Sequence, residues 1–160
     1  MQFAFTEEQA LIREAVREFV AEHGASMRER AAIETERGYD ESTWAALVEM
    51  GWTALPFADR HGGAGLGNVE LAIVQQELGR RLVPSPFFAS ACLAGRAIEN
   101  AGTEEQCRAM LPGLGNGKQI GALALTGLHG RAGLDAIGAE LRREGDVLWQ
   151  VWHEIAGRLE

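Results

Sequence analysis

Apolar residues recur every three or four positions along most of the first 117 residues, which is the spacing of helices that bury one face. The first such stripe consists of Ile12, Ala15, Val16 and Phe19. Thr6 and Gln9 stand at its start in the pattern of a capping box, in which each side chain accepts a hydrogen bond from the other residue's amide. Thr103 and Gln106 repeat this pattern. The sequence therefore predicts helices that begin directly after Thr6 and Thr103.

Four more helices are predicted between these two. They cover residues 26–37, residues 40–50, a segment capped by Asn68, and residues 86 to about 100. Pro86 suits the first turn of the last of these, because a first-turn residue needs no amide donor. The pattern predicts an all-α bundle, so residues 1–117 are expected to form a helical N-terminal domain.

The periodicity changes after this bundle. Residues 119–126 form an apolar run typical of a buried strand, and residues 136–142 are a plausible second strand. Residues 146–160 fit two interpretations, because their apolar residues share one helical face while residues 148–155 could equally form a strand. Residues 118–160 are therefore expected to form a separate unit. The predicted fold class is mainly α, with a short β segment at the C-terminal end.

The run His61–Gly67, HGGAGLG, is the densest glycine stretch in the chain and lies between an apolar segment and a predicted helix. A strand, a glycine loop and a helix in that order are typical of a dinucleotide-binding turn, with the pattern G-x-G-x-x-G. Here Gly63 and Gly65 are followed by Asn68 where the third glycine belongs. Pro56 also removes a hydrogen-bond donor from the preceding segment. A helix-to-helix connection with glycines at positive φ is favoured over a phosphate site.

The chain is acidic, with 15 Lys and Arg residues against 23 Asp and Glu residues and a net charge of -8. This balance argues against nucleic acid and anionic membrane surfaces as partners. No apolar run is long enough to span a membrane, and no signal peptide is recognised before the first charged helix. Cys92 and Cys107 have neither metal-ligand nor disulfide-scaffold spacing, so reduced thiols and a cytoplasmic location are expected. The histidines are scattered, so no metal site is predicted.

Seven short stretches follow one another in a recognisable order. They are FAFTEEQ at 3–9, GWTALP at 51–56, GGAGLG at 62–67, QELG at 76–79, GTEEQ at 102–106, LP at 111–112 and ALALT at 122–126. Each alone is weak evidence, but the series resembles the acyl-CoA dehydrogenase family nearly continuously from Phe3 to Thr126. The resemblance implies the family's helical N-terminal domain, followed over residues 118–160 by a shortened remnant of its middle β-domain.

The chemistry that this resemblance implies centres on a flavin. In this family FAD and an acyl-CoA thioester meet between the domains, a glutamate removes the α-proton, and a hydride passes from the β-carbon to flavin N5. The family stretch ending in Leu-Thr-Glu lies beside the flavin, so Leu123, Leu125 and Thr126 correspond to flavin contacts. The Thr126 hydroxyl and amide would donate hydrogen bonds to the isoalloxazine edge. Alternatively, Thr126 is simply a β-branched strand residue.

The sequence departs from the family pattern at several places. Gly127 stands where the family has a glutamate, and the following glycine-serine-aspartate is only echoed, with a displacement of two residues, at 133–135. Residues 148–157 align loosely with a family strand beside flavin N5, which favours the strand interpretation. Glu154 and Ala156 occupy the places of its tryptophan and its serine or threonine. The family's usual catalytic glutamate lies beyond the last residue, so no catalytic residue is assigned.

Two functions follow from the resemblance. In the first, the chain supplies the helical domain and part of the flavin wall of an acyl-CoA dehydrogenase, and another polypeptide supplies the rest; the isolated chain is then expected to be inactive. In the second, it is a non-catalytic helical module that binds an acyl thioester or a protein. An open strand edge and poorly covered Trp149 and Trp152 predict a homodimer or a complex with a complementary chain, with residues 119–156 contributing to the contact. A tail helix that covers this patch is the rival outcome.

Overall fold

The computed structural model describes residues 4–24, 27–123, 139–144 and 147–152. The chain divides into two compact units, Met1–Leu123 and Ala124–Glu160. The helices of the first unit are α1 (Glu7–His23), α2 (Met27–Ile33), α3 (Glu41–Glu49), α4 (Asn68–Arg80), a π-helix (Phe88–Gly95), α5 (Arg96–Ala101) and α6 (Glu104–Gly115), with 3₁₀ turns at Trp52–Ala54 and Asp59–His61. The strands of the second unit are β1 (Ala139–Glu144) and β2 (Val147–Trp152).

Both predicted capping boxes are present. At the start of α1 the Gln9 amide donates to the Thr6 hydroxyl at 3.2 Å, and the Thr6 amide donates to the Gln9 side-chain oxygen at 3.1 Å. The corresponding pair of bonds joins Thr103 and Gln106 at the start of α6. These bonds satisfy amides that every helix start leaves without a partner, so a four-residue pattern fixes where each helix begins.

The start of α4 differs from the prediction in its cap. The helix begins at Asn68, but the capping position is occupied by Gly67, which has no side chain to offer. The Glu70 carboxylate reaches back and accepts a hydrogen bond from the Gly67 amide at 2.9 Å. The Glu70 side chain therefore caps the start of this helix, a role that the sequence prediction assigned to Asn68.

The core of the first unit lies between α1, α3, α4 and the segment that opens the π-helix. Val16, Leu47, Val74 and Phe87 come from these four elements and are fully buried. A smaller cluster packs Phe57 against one face of α6, through Cys107, Leu111 and Leu114. Each large side chain buried in this way stabilises the fold by about 1.5–3 kcal/mol, so these contacts hold the helices together.

The predicted helix over residues 86–100 is not a regular α-helix. Residues Phe88–Gly95 form a π-helix that continues into α5. The helix passes close to a buried aromatic ring, because a Cβ placed on Gly95 would lie 2.5 Å from the Phe57 ring. π-Helical turns are rare and occur frequently at functional sites, which directs attention to this element.

The first predicted strand is not formed in its described part. Residues 119–123 have no regular secondary structure, and residues 124–126 lie outside the described residues. The Gln119 amide donates to the Gly113 carbonyl, and the Gly121 amide donates to the Ser90 hydroxyl. Because these donors pair with helical residues instead of a neighbouring strand, the prediction of a strand is wrong over residues 119–123.

The second unit contains an antiparallel hairpin. Its register pairs Ala139 with Trp152 at one end and Glu144 with Val147 at the other. The prediction of a strand over residues 136–142 is confirmed over 139–142, and the strand continues to Glu144, whereas residues 136–138 lie outside the described residues. The strand interpretation of the following segment is confirmed over 147–152, and the helical alternative is wrong there. The remainder of that segment lies outside the described residues.

The glycine run connects two helical segments, as the sequence analysis favoured. The apolar residues before it form a 3₁₀ turn rather than a strand. Gly62 and Gly65 adopt φ values of 81° and 65°, in the left-handed region that favours glycine. A Cβ on Gly63 would overlap the Phe57 carbonyl oxygen, so the loop folds back closely on the preceding turn. The glycines therefore allow the backbone angles and the close approach that this short connection requires.

Candidate functional site

The candidate site is the surface formed by the π-helix and by residues 118–123, which we call the exit segment. Two hydrogen bonds fix this segment: the Gln119 amide donates to the Gly113 carbonyl at 2.9 Å, and the Gly121 amide donates to the Ser90 hydroxyl at 3.2 Å. A Cβ on Gly121 would lie 2.7 Å from the Ala94 Cβ, so backbone packs directly on the π-helix. The small residues of the π-helix make this approach possible.

Large apolar side chains remain exposed on these two elements. Phe88 at the start of the π-helix is 51% exposed, and Ile120 and Leu123 of the exit segment are 47% and 37% exposed. Apolar side chains left exposed in this way are available for contact with another molecule. The site therefore presents exposed apolar side chains on a backbone that is hydrogen-bonded to α6 and the π-helix.

Of the predicted flavin contacts, Leu123 is described, whereas Leu125 and Thr126 lie outside the described residues. Leu123 ends the exit segment with its side chain partly open. Such a side chain fits an apolar contact with a planar ring, so the described part of the site is compatible with FAD at this position. The hydrogen-bond donors that Thr126 would supply lie outside that part.

The thiol in the π-helix is not an activated nucleophile. Burial raises the pKa of Cys92 to about 11, and no charged group lowers it. At neutral pH the thiol is protonated, and the thiolate is the reactive form of cysteine. Both Cys92 and Cys107 are free thiols, which agrees with the sequence expectation. Cys92 packs against the helical core, so its contribution is structural.

A second cluster of polar residues joins α1 to α4, and we call it the α1–α4 clamp. The Glu77 side chain is 1% exposed and is surrounded by Arg13, Arg17 and Arg80. The Nε atoms of these arginines lie 2.9, 3.2 and 3.4 Å from its carboxylate oxygens. Nearby, the Gln9 amide group donates to the Glu70 carboxylate at 2.8 Å. Six side chains of α1 and α4 thus bind one another through ion pairs and hydrogen bonds rather than apolar contact alone.

The clamp keeps the Glu77 side chain ionised although it is buried. Burial by itself would raise the pKa of Glu77, but the hydrogen bond from Arg13 and the charges of Arg17 and Arg80 outweigh it and hold the pKa below its ordinary value. A carboxylate that is paired with three guanidinium groups is a poor proton acceptor. Glu77 is therefore a structural residue and not a candidate general base.

His61, at the start of the glycine run, is the other buried polar residue of note. Its side chain is 1% exposed, and its Nε2 lies 3.8 Å from a carboxylate oxygen of Glu104. Neither ring nitrogen has a hydrogen-bond partner among the described residues. The Glu104 carboxylate also lies 3.6 Å from Arg60 and 3.6 Å from Arg108, so its charge is already shared. The scattered histidines of the sequence analysis remain without an assigned chemistry.

Sequence reasoning did not single out Glu77 or Ser90. A signal existed for Glu77, because it falls between Val74 and Leu78 on the apolar side of a predicted helix, where a charge requires a partner. Ser90 carries no such signal. Its neighbours are small and apolar, and its role depends on a residue that lies 31 positions later in the chain.

Among the described residues, no three His, Cys, Asp or Glu side chains lie close enough together to hold a metal ion. A search of the same residues for a helix with the length and hydropathy needed to cross a membrane finds none.

Comparison with known proteins identifies the family. The N-terminal domain of acyl-CoA dehydrogenases matches residues 6–118, which is most of the chain and nearly all of the first unit. The chain therefore belongs to the acyl-CoA dehydrogenase family, whose members are FAD-dependent flavoproteins. The acyl-CoA dehydrogenase IpdE2 of Mycobacterium tuberculosis is 42% identical over 120 residues, which cover 74% of this chain and 37% of that protein. The chain thus spans little more than a third of the length of this relative.

Solved structures agree in fold. A variant of the Tcur3481–Tcur3483 steroid ACAD matches with a TM-score of 0.79 and 30% identity, over 90% of this chain and 39% of that one. The ChsE4–ChsE5 complex of Mycobacterium tuberculosis matches with a TM-score of 0.80 over 94% of this chain and 40% of that one. Its identity of 23% makes it evidence for the fold alone. The predicted fold class, a helical bundle like the N-terminal domain of this family, is confirmed.

Proposed function

We propose that this chain is the helical component of an FAD-dependent acyl-CoA dehydrogenase whose flavin site is completed by a complementary chain. The observation that carries the proposal is the match of the acyl-CoA dehydrogenase N-terminal domain over residues 6–118. In this proposal the ligand is an acyl-CoA or a related acyl thioester. We expect that the isolated chain, located in the cytoplasm, does not turn it over, because catalysis needs a general base within hydrogen-bond reach of the proton that it removes, and no described residue is assigned that role.

The proposed flavin contacts are Leu123, Leu125 and Thr126. Support comes from the match of ALALT at 122–126 to the family's flavin-facing stretch and from the exposed side chain of Leu123. In the proposal Leu123 and Leu125 contact the ring system, and Thr126 donates hydrogen bonds to its edge. When FAD is bound it accepts the hydride; the residues of this chain orient the ring and exclude water.

A complementary chain is the second part of the proposal. Among the structures that resemble this chain, the ChsE4–ChsE5 protein is a complex. A homodimer is the alternative assembly. In either case we propose that residues 119–156 contribute to the contact, since the exit segment presents exposed apolar side chains and, among the described residues, β1 and β2 form a sheet of two strands. A sheet of two strands presents edges that pair readily with another chain.

The experiment that tests the proposal compares the chain alone with the chain co-expressed with the products of neighbouring reading frames. Each preparation is examined by size-exclusion chromatography with light scattering and titrated with FAD while the flavin spectrum is recorded. We expect the chain alone to bind FAD weakly or not at all, and one co-expressed chain to give a yellow complex. Trp152→Glu should weaken the assembly, with Glu49→Gln on α3 as a control distant in sequence.

Two outcomes would contradict the proposal. A colourless complex that nevertheless binds an acyl-CoA would favour the alternative function, a non-catalytic helical module. A stable monomer at high concentration, with no partner among the co-expressed chains, would remove the complementary chain from the account.

A further inference from the structure

His61, the first residue of the glycine run, has a buried imidazole ring without a hydrogen-bond partner. Its side chain is 1% exposed, and neither ring nitrogen bonds to a described residue. Buried polar groups are nearly always hydrogen-bonded, because leaving one unpaired is costly. A neighbouring side chain that moves to the ring would therefore satisfy a group that the fold leaves without a partner.

The backbone that carries this ring is fixed. The His61 amide donates to the Ala58 carbonyl at 2.8 Å. The amides of Gly62 and Gly63 donate to the Asp59 and Ala58 carbonyls at 2.9 and 3.2 Å. Because these bonds hold the turn on both sides of His61, the ring stays where it is and a partner has to approach it.

The Glu104 carboxylate, in the first turn of α6, is the group that can approach. Its side chain is 53% exposed, and its Oε2 lies 3.8 Å from His61 Nε2. A hydrogen bond between nitrogen and oxygen is about 2.7–3.2 Å long, so the two atoms are close but not yet bonded. A bridging water would need about 4.5 Å or more between them. A small rotation of the exposed carboxylate therefore completes a direct bond without moving the backbone.

Two arginines share this carboxylate with the ring. Arg60 Nε lies 3.6 Å from its Oε2, and Arg108 Nη2 lies 3.6 Å from its Oε1. The two arginine side chains are 67% and 74% exposed, so water and salt screen their attraction. A positive charge on the buried His61 ring would be screened much less. Glu104 should therefore turn to the ring when it is protonated and to the arginines when it is neutral.

The other charged and titratable groups around the turn do not take the place of Glu104. They are Asp59 and Arg60 on the turn itself, Glu105, Cys107 and Arg108 on α6, which packs against the turn, and Arg96 and Glu99 on α5. Glu99 pairs with Arg96 and accepts the Ala58 amide. Among the described residues, the carboxylate of Glu104 is the one within 4.0 Å of the His61 ring nitrogens.

We propose that His61 and Glu104 form a pH-sensitive latch, which binds the glycine run to α6 when the ring is protonated and releases it when the ring is neutral. Histidine is the side chain that ordinarily changes its charge between pH 5 and pH 8. The latch is therefore closed at the acidic end of this range and opens as pH rises. Its effect is local, because burial of the charged ring opposes the attraction of the carboxylate.

The first arm of the test follows the two side chains of the full chain by NMR from pH 8 to pH 5. The His61 ring nitrogens report the protonation of the ring, and the side-chain carboxyl carbons report the surroundings of each glutamate. We expect the Glu104 carboxyl carbon to shift over the same pH range in which His61 gains its proton. The Glu105 carboxyl carbon, in the same helical turn, is the internal control and should not follow His61.

The second arm measures hydrogen exchange of the Gly62 and Gly63 amides at pH 5.5 and pH 7.5, each rate being divided by that of an unstructured peptide at the same pH. We expect these amides to be about fivefold better protected at pH 5.5, as one additional hydrogen bond implies. Glu104→Gln should abolish this difference, because it removes the charge that is attracted to the ring. Glu105→Gln removes a charge from the same turn and should leave the difference as in the wild type.

His61→Phe keeps a ring in the buried position and removes its proton, so the pH difference should vanish in this variant as well. Circular dichroism shows whether it is folded; if it is not, the comparison of Glu104→Gln with Glu105→Gln decides. Equal protection of the wild-type amides at both pH values would overturn the latch. A pH difference that persists in Glu104→Gln, or that Glu105→Gln abolishes equally, would also overturn it.

Discussion

The α1–α4 clamp and the exit segment are held in place by opposite means. In the clamp, a carboxylate that is 1% exposed binds three arginines, and the neighbouring core residues Val16 and Val74 are fully buried. In the exit segment, two backbone amides bind the helices below, and the side chains of Ile120 and Leu123 are left exposed. The first arrangement fixes one helix against another. The second fixes a backbone and leaves its apolar side chains available.

This difference separates stability from function within one helical unit. The buried Glu77 carboxylate cannot take part in binding without disrupting its surroundings, because it is enclosed with its arginine partners. Exposed apolar residues on a fixed backbone contribute little to folding and are free to contact another molecule. We therefore expect substitutions in the clamp to affect stability and substitutions in the exit segment to affect binding.

The largest effect is expected for Glu77→Ala. Removing the carboxylate leaves Arg13, Arg17 and Arg80 around a buried site without their common partner, which should lower the free energy of unfolding by about 3 kcal/mol. The value lies at the low end for a buried ion pair because the arginine side chains are partly exposed. Urea denaturation followed by circular dichroism measures the change. Glu18→Ala on the exposed face of α1 is the control and should change little; equal losses in both variants would contradict the role of the clamp.

A smaller effect is expected from pH. The pKa of Glu77 is held below its ordinary value of 4.5, and hydrogen bonding to Gln9 holds the pKa of Glu70 below it as well. A carboxyl whose pKa is lower in the folded state stabilises the fold fully above its unfolded value and ceases to do so as pH falls through its folded value. Stability should therefore be constant down to about pH 5 and then fall. Urea midpoints at pH 7 and pH 3 test this, and Glu77→Gln should show a shallower acid dependence than the wild type.

The smallest effect on folding is expected for Leu123→Ser. This side chain is 37% exposed, so the free energy of unfolding should change by no more than about 0.5 kcal/mol. In the proposed assembly the same substitution should weaken FAD binding, because an apolar contact with the ring is lost. Thermal melting and flavin titration measured on one preparation separate the two effects. A loss of stability comparable with that of Glu77→Ala would show that Leu123 belongs to the core.

The features that the sequence predicted are those set by neighbouring residues. The capping boxes at Thr6 and Thr103 depend on groups three residues apart, and both helices begin where expected. The π-helix was not predicted, and its close packing involves a group that is distant in sequence, the Phe57 ring at Gly95. The strand predicted over residues 119–126 failed in its described part for a similar reason. The apolar pattern of these residues is typical of a strand, but the Gly121 amide donates its hydrogen bond to the Ser90 hydroxyl instead of to a neighbouring strand.

Predictions about the site likewise succeeded where they depended on short stretches of sequence and failed where they depended on contacts between distant residues. The family and its helical N-terminal domain followed from short stretches read in order, and both are confirmed. Leu123 was identified from such a stretch, and its role at a flavin remains a prediction. The sequence could not identify the partners of Ser90 and Glu77, because only the fold brings those partners near: Gly121 for one and Arg13 for the other.

The central claim is that Leu123, Leu125 and Thr126 form one wall of a flavin site that a second chain completes. Its most direct test is anaerobic absorbance spectroscopy of the purified assembly, reconstituted with FAD and titrated with acyl-CoA thioesters. The account predicts that an acyl-CoA bleaches the flavin band of the assembly and that the isolated chain, treated identically, shows neither the band nor turnover with an artificial electron acceptor. Oxidation of an acyl-CoA by the isolated chain would contradict the account, as would an assembly that binds flavin but is reduced by no acyl thioester.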